Sequence, residues 1–262
     1  MSLRILVTND DGIYAPGLWA LVAELKRIAQ VIVVAPDREQ SAMGTSVTLR
    51  HPLRVNRVRP LLEGVEAYSV EGTPSDSVIL ALGTLIEDGV DMVVSGINEG
   101  ANLGSDVFIS GTVGAAFQGH LRGLPAIALS VAAFGDLHLD TAARLAALLA
   151  GKMSAKALPP DILLNVNVPN LPPDEIKGIE ITRLAPHSYT DVVEEGHDGK
   201  RKCYWIVRGQ PQRNMDKGTD VWAVSSDIIS ILPIGSDLST APAPSSLKDL
   251  CSQLFHDLRS KR

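Results

Sequence analysis

The sequence predicts an α/β protein built on a parallel sheet, and three observations carry that reading. Short apolar runs rich in β-branched residues recur at 3–8, 31–35, 91–95, 126–131 and 162–168, each with the length of a strand buried on both faces. Segments with apolar residues at helical spacing stand between them. Polar and glycine-rich loops follow the strands, on the edge where open parallel sheets bind ligands.

The first strand, 3–8, stops at Asn9-Asp10-Asp11-Gly12, where polarity and a glycine end it. Pro16 and Gly17 open a helix whose apolar residues are Leu18, Leu21, Val22, Leu25 and Ile28, and Val31 to Ala35 is the second strand. A β-α-β unit of this kind implies a right-handed crossover between parallel strands. The interval 37–72 breaks the rhythm. A Ser/Gly/Thr-rich loop at 40–48 precedes alternating stretches near 52–58 and 65–70, which predict a hairpin or protruding β excursion over about residues 50–71.

Thr73 is placed to cap a helix, with Pro74 at its first position and Asp76 three residues after the cap. That pattern predicts a helix with Val78, Leu82, Leu85 and Ile86 on one face. Residues 91–95 are the third parallel strand. A glycine-dense loop over 96–112 (GINEGANLGSDVFISGT) then leads into a small-residue helix from about Thr112, a strand at 126–131, an alanine-rich helix at 139–150 and a core strand at 162–168. This closes a core over residues 1–168. Residues 169–262 form a C-terminal extension expected to serve oligomer contacts: strands near 179–184 and 203–208 separated by a polar loop, a short helix near 219–225, a strand at 228–232, a Pro/Ser linker and a terminal helix.

Composition narrows the function. The 262 residues are 45% hydrophobic and 21% charged, a globular balance that excludes disordered and fibrous classes. No apolar run approaches the ~18 residues of a membrane span, and the N-terminal run turns polar too soon for a signal peptide. The expectation is a cytoplasmic protein with no membrane partner. A net charge of −6 disfavours nucleic acid as a partner. The basic stretch Arg50 to Arg59 alternates with Leu53, Val55 and Val58, as a half-exposed strand does. Cys203 and Cys251 are too few and too far apart for a disulfide framework or a thiolate zinc site. The six histidines are scattered without ligand spacing.

The chemistry is therefore sought past the strand ends. Asp10 and Asp11 are adjacent carboxylates whose mutual repulsion asks for a cation. Mg²⁺ or a similar hard divalent ion suits them, because it takes oxygen ligands and keeps positions open for water and phosphate. The competing reading is that one of them caps the following turn. Ser110-Gly111-Thr112 begins a helix, where backbone N–H groups can receive an anion, although the run is neither GxGxxG nor a Walker loop. Ordinary capping with close packing through Gly114 and Ala115 is the alternative. A dication site and an anion cradle on one edge together describe a phosphoester hydrolase.

TNDDGIYAPGL at 8–18, APDREQSAMGTSVT at 35–48, EGTPSDSV at 71–78, SGINEGANLGSDVFISGTVGAA at 95–116 and LNVNVP at 164–169 together resemble the SurE family of stationary-phase survival proteins, which act as 5′-nucleotidases. The resemblance is specific to about Ser130 and looser beyond, through GIEITRL and KGTDVWAV. It implies a Rossmann-like core and a metal-dependent phosphatase for nucleoside 5′-monophosphates, and leaves open whether 3′-nucleotides and short polyphosphate are also cleaved. It implies one divalent cation per subunit, Mg²⁺ or Mn²⁺, held by Asp10, Asp11, Ser41 and Asn98, and a homodimer or homotetramer.

Within that expectation, Asn9 and Ser110-Gly111-Thr112 are the candidates for holding phosphate oxygens, and Asp10 or Asp11 for orienting or deprotonating the attacking water. The chain departs from the family pattern at Asp227 and Ile228, where a glycine-tyrosine pair is common, and at Gln118, where a glutamate is common. Neither departure touches the expected ligands. A haloacid-dehalogenase phosphatase needs DxD, which Asn9-Asp10-Asp11-Gly12 does not supply. A non-catalytic receiver module is much shorter than this chain.

Overall fold

The computed structural model describes residues 3–155, 158–186, 189–211, 216–237, 250, 251 and 254. The chain runs through β1 (Arg4–Thr8), α1 (Pro16–Leu25), β2 (Gln30–Pro36), β3 (Val55–Arg57), β4 (Glu66–Val70) and α2 (Pro74–Leu80), the last continuing into a π turn at Ala81–Leu85. Next come β5 (Met92–Glu99), a 3-10 turn at Gly104–Phe108, α3 (Gly111–His120), β6 (Ala126–Val131), α4 (Leu139–Ser154) and β7 (Leu163–Val168). β8 (Gly178–Ile181), β9 (Tyr189–His197), β10 (Lys202–Pro211), α5 (Asp220–Ser225) and β11 (Ile228–Ile234) follow.

Nine strands form one sheet in the order β3-β4-β2-β1-β5-β6-β7-β11-β8. From β4 to β7 every neighbouring pair is parallel. Helices α1 and α4 cover one face, where Leu18, Leu21 and Ala142 pack with Ile5, Val33 and Val94. Helices α2 and α3 cover the other, where Val78, Val113 and Ala116 pack with Leu6, Ile32 and Val93. Burial on both faces explains why these strands read as continuous apolar runs.

Local signals set most boundaries. Thr73 caps α2 in a capping box, accepting from the Asp76 N–H at 3.0 Å while the Asp76 carboxylate accepts from the Thr73 N–H at 2.9 Å. Ser110 caps α3, accepting from the Val113 N–H at 3.1 Å. Helix α1 ends three residues before Ile28, which is 44% exposed.

The stretches near 52–58 and 65–70 form the expected hairpin, and β4 also pairs parallel with β2, so the excursion joins the main sheet. β5 runs four residues past the expected Ser95, its register against β6 shifting between Ser95 and Asn98. At the other edge β11 pairs antiparallel with β7 and parallel with β8, which carries the sheet into the extension.

The polar loop expected before the 203–208 strand is corrected. Residues 189–197 form β9, paired antiparallel with β10 in a separate two-stranded ribbon. The acidic residues Glu194 and Glu195 hid the strand, whereas cross-strand pairing, including the 2.7 Å ion pair of Lys202 with Glu195, holds it. The expected Pro/Ser linker and terminal helix lie outside the described residues, except that Leu250, Cys251 and Leu254 are helical.

Candidate functional site

The carboxyl ends of β1, β2 and β5 bring their loops to one edge, where the N-terminus of α3 faces them. After β1 the Asn9 side chain closes a turn: its Nδ2 donates to the Gly12 carbonyl at 3.0 Å and its Oδ1 accepts from the Gly12 N–H at 3.2 Å. Gly12 has φ +104°, and a Cβ there would lie 3.1 Å from the backbone of Arg38, so glycine is required. Asn9 is fully buried inside this turn. Its amide shapes the loop that presents Asp10 and Asp11.

Asp10 is 5% exposed and accepts a hydrogen bond from the Thr112 hydroxyl. It lies so close to the start of α3 that a Cβ on Gly111 would sit 2.8 Å from its side chain. Burial pushes the Asp10 carboxyl up from its ordinary range, with the Thr112 hydrogen bond opposing. Burial, followed by the charge of Asp10, pushes Asp11 up to about 7. Among the described residues no lysine, arginine or histidine pairs with either carboxylate. Two desolvated neighbouring carboxylates without a protein cation are the donor set that a hard divalent ion satisfies.

Ser41 arrives on the loop after β2, which is fastened at several points. The Gln40 N–H donates to the Asp10 carbonyl at 2.7 Å and the Gly44 N–H to the Ile109 carbonyl at 2.8 Å. Farther on, the Thr48 N–H donates to Asp76 Oδ1 at 2.9 Å, and the Thr73 hydroxyl to the Ser46 carbonyl at 2.7 Å. Helix α3 presses directly on this loop, since a Cβ on Gly114 would lie 2.1 Å from the Gly44 carbonyl oxygen. The Ser41 hydroxyl is exposed and donates to Glu39 Oε1 at 2.7 Å, which leaves its oxygen lone pairs to face a cation.

Asn98 lies within the extended end of β5 instead of the loop beyond it. Its Nδ2 donates to the Gly100 carbonyl at 2.6 Å, so the Oδ1 acceptor is the atom left for a ligand. Asp10, Ser41, Asn98 and Ser110 border one cavity of about 270 Å³. Asp11 borders an adjoining cavity of about 350 Å³ together with Glu39, and Glu99 lines both. Of the expected phosphate-binding run, Ser110 reaches the cavity, while Gly111 and Thr112 stand behind Asp10 and hold it.

Asn102, in the glycine-dense loop past the third strand, and Ser130, at the end of the fourth, already stand on the ligand edge in sequence; the supports that escaped the sequence reading are Asn165, Asn167 and Asp220. Asn102 Nδ2 donates to Ser130 Oγ at 2.8 Å, its N–H donates to Asn167 Oδ1 at 2.8 Å, and its carbonyl accepts from Asn165 and Asn167 at 2.8 and 3.1 Å. The available signal was a pair of asparagines two apart in a buried strand, which places both on one face. Asp220, at the start of α5, accepts from the Gly104 N–H at 2.7 Å and the Ala185 N–H at 2.9 Å. In sequence it looks like an ordinary acidic residue of a first helical turn.

The sequence profile of the family described as Survival protein SurE matches residues 5–191. A protein named 5′-nucleotidase SurE from Dehalococcoides mccartyi (strain CBDB1) is 51% identical over 92% of this chain and 91% of its own length. One of the same name from Alkalilimnicola ehrlichii is 47% identical over 90% of this chain and 91% of its own. The crystal structure of the SurE protein from Aquifex aeolicus superposes with a TM-score of 0.82 at 37% identity, covering 94% of this chain and 99% of that one. By profile, sequence and fold together, the chain belongs to the SurE family.

Proposed function

We propose that this protein is a divalent-metal-dependent 5′-nucleotidase, hydrolysing nucleoside 5′-monophosphates to nucleoside and phosphate. The observation that carries the reading is the adjacent carboxylates Asp10 and Asp11, paired with no lysine, arginine or histidine among the described residues, with Asp10 bordering one cavity with Ser41, Asn98 and Ser110 and Asp11 the adjoining one, at the sheet edge where α/β folds act. The substrate class comes from the names of the relatives.

Asp10, Asp11, Ser41 and Asn98 would hold one cation per subunit, Mg²⁺ or Mn²⁺. When bound, that ion supplies charge neutralisation at phosphate oxygens and a more acidic water. Asp10 has Oδ1 committed to Thr112 and little exposed surface, so its part is to hold. Asp11 borders open space, so it is the group placed to orient or deprotonate the attacking water. Ser110 Oγ accepts from Val113, leaving its proton to donate to a phosphate oxygen.

The division into a catalytic core over 1–168 and an extension over 169–262 is supported by where these groups lie. Every one belongs to the core, while the extension contributes Asp220 as an anchor. A homodimer or homotetramer is supported by the exposed apolar residues Val193, Tyr204, Trp205 and Ile206 on the β9–β10 ribbon. Two free cysteines suit the reducing cytoplasm, and among the described residues no helix is long and apolar enough to cross a membrane.

The test is phosphate release from a panel of nucleoside monophosphates by EDTA-treated protein, with and without added Mg²⁺ or Mn²⁺, alongside Asp10→Asn and Asp11→Asn. Metal-restored release that collapses in the folded variants supports the assignment. Folded protein that releases no phosphate with any metal overturns it.

A further inference from the structure

The cavity that holds Asp10 and Asn98 is graded in burial. Asp10 and Ser110, on its polar side, are each 5% exposed, whereas Ile109 and Phe134 on its border are 45% and 74% exposed. A phosphate anchored at the buried end leaves the rest of its ester to run toward the exposed apolar border. We infer that Phe134 is the platform on which the nucleobase stacks, which makes it a specificity-determining residue for the nucleotidase reaction proposed above, on which this inference rests.

Phe134 stands on the loop between β6 and α4, and that loop is held in place. The Gly135 N–H donates to Glu99 Oε1 at 2.5 Å, and Glu99 itself borders the cavity. At the foot of the ring, Gly100 has φ +97°, and a Cβ there would come 2.7 Å from the ring carbons. The ring therefore rests on bare backbone. The same Gly100 carbonyl receives the Asn98 amide at 2.6 Å, so ring position and expected ligand position are set by one residue.

Phe134 is packed against the Gly100 backbone on one side and open elsewhere, which leaves an aromatic face at the cavity border. That face is a surface that any base can use, because every base has a π-face. Phe108, which is exposed to a similar degree, does not border the cavity, so exposure alone does not single out Phe134. Stacking discriminates nucleotides from other phosphomonoesters without reading which base is present, and so points to broad use of nucleoside monophosphates.

The experiment compares adenosine 5′-monophosphate with ribose 5-phosphate, which keeps the ester and lacks the base, in wild type and in Phe134→Ala, Phe134→Leu and Phe134→Trp. Circular dichroism and size-exclusion chromatography accompany each variant. The expected result is a KM for adenosine 5′-monophosphate raised about tenfold in the alanine and leucine variants. Their kcat and their KM for ribose 5-phosphate stay within about twofold, and tryptophan restores the wild-type value. An unchanged KM for the nucleotide, or an equal loss on both substrates, overturns the inference. A changed oligomeric state with no substrate selectivity also overturns it, because the ring would then serve a second copy of the chain. Wild-type protein that cleaves neither substrate overturns the nucleotidase reading itself, an outcome distinct from selective loss.

Discussion

The Thr112 hydroxyl donates to Asp10 Oδ1 across 102 residues of sequence, joining the end of the first strand to the first turn of α3. The bond fixes which Asp10 oxygen stays available and opposes the burial that raises its proton affinity. Thr112→Val, nearly isosteric, removes only the donor. A hydrogen bond to a charged group contributes about 1.5–3 kcal/mol, so the Mg²⁺ concentration for half-maximal phosphate release is expected to rise about tenfold or more. Thr112→Ser keeps the donor and is expected to stay near wild type in the same titration.

Gly114 lets α3 lie directly on the loop that carries Ser41. Alanine there meets the Gly44 carbonyl oxygen at 2.1 Å, a backbone atom that cannot rotate away. Overpacking of this kind costs about 1–3 kcal/mol, and the loop has to move to relieve it. Gly114→Ala is expected to lower the denaturant midpoint and weaken metal reactivation together. Gly151→Ala, in α4 with open space around the glycine, is the control and is expected to do neither.

Asp220 fastens the 101–106 loop through the Gly104 N–H and reaches Ala185 with its other oxygen. Asp220→Ala leaves buried donors unpaired, at about 1–3 kcal/mol each. In a chain of this size that corresponds to a melting temperature lower by roughly 5–10 °C. Calorimetry checks it, and a melting temperature within a degree of wild type would sink the anchoring role.

Metal-free protein should lose stability as pH rises. Asp11 moves from an ordinary 3.8 to about 7 in the fold, so between those values the folded state binds more protons than the unfolded one. Its favourable contribution is complete below about pH 4 and disappears as pH climbs through 7. Melting curves of EDTA-treated wild type against Asp11→Asn from pH 5 to 8 read this directly: the gap should widen in favour of the variant toward pH 8. Excess Mg²⁺ should restore the wild type most strongly at the alkaline end, because the cation replaces the proton.

Much of the fold was legible because its signals are local. The Thr73-Pro74-Asp76 cap, the short β-branched strands and the proline that opens α1 each act within one turn or one strand. The ribbon strand β9 was not, since its support is cross-strand pairing and its own residues are mostly charged or exposed. β5 outran its apolar run for a similar reason. Its last residues, Gly96 to Glu99, are strand because Asn98 and Glu99 pair with Ser130 and Val131 of β6 beyond the register shift, while their composition is that of a loop.

At the site the sequence by itself determined the chemical types. Adjacent carboxylates at Asp10 and Asp11, a serine after the second strand, an asparagine after the third and a helix start at Ser110 sit at strand and helix ends, and strand order brings such ends to one edge. Only the tertiary structure decided what each group does there. It spent the Asn9 amide on its own turn, turned Thr112 and Gly111 into the backing of Asp10, and tied the neighbouring loop to Asn165, Asn167 and Asp220. The physical reason is that a residue type fixes which bonds a side chain can make. Which bond it does make depends on burial and on partners tens of residues away, and both exist only once the sheet and its helices have packed.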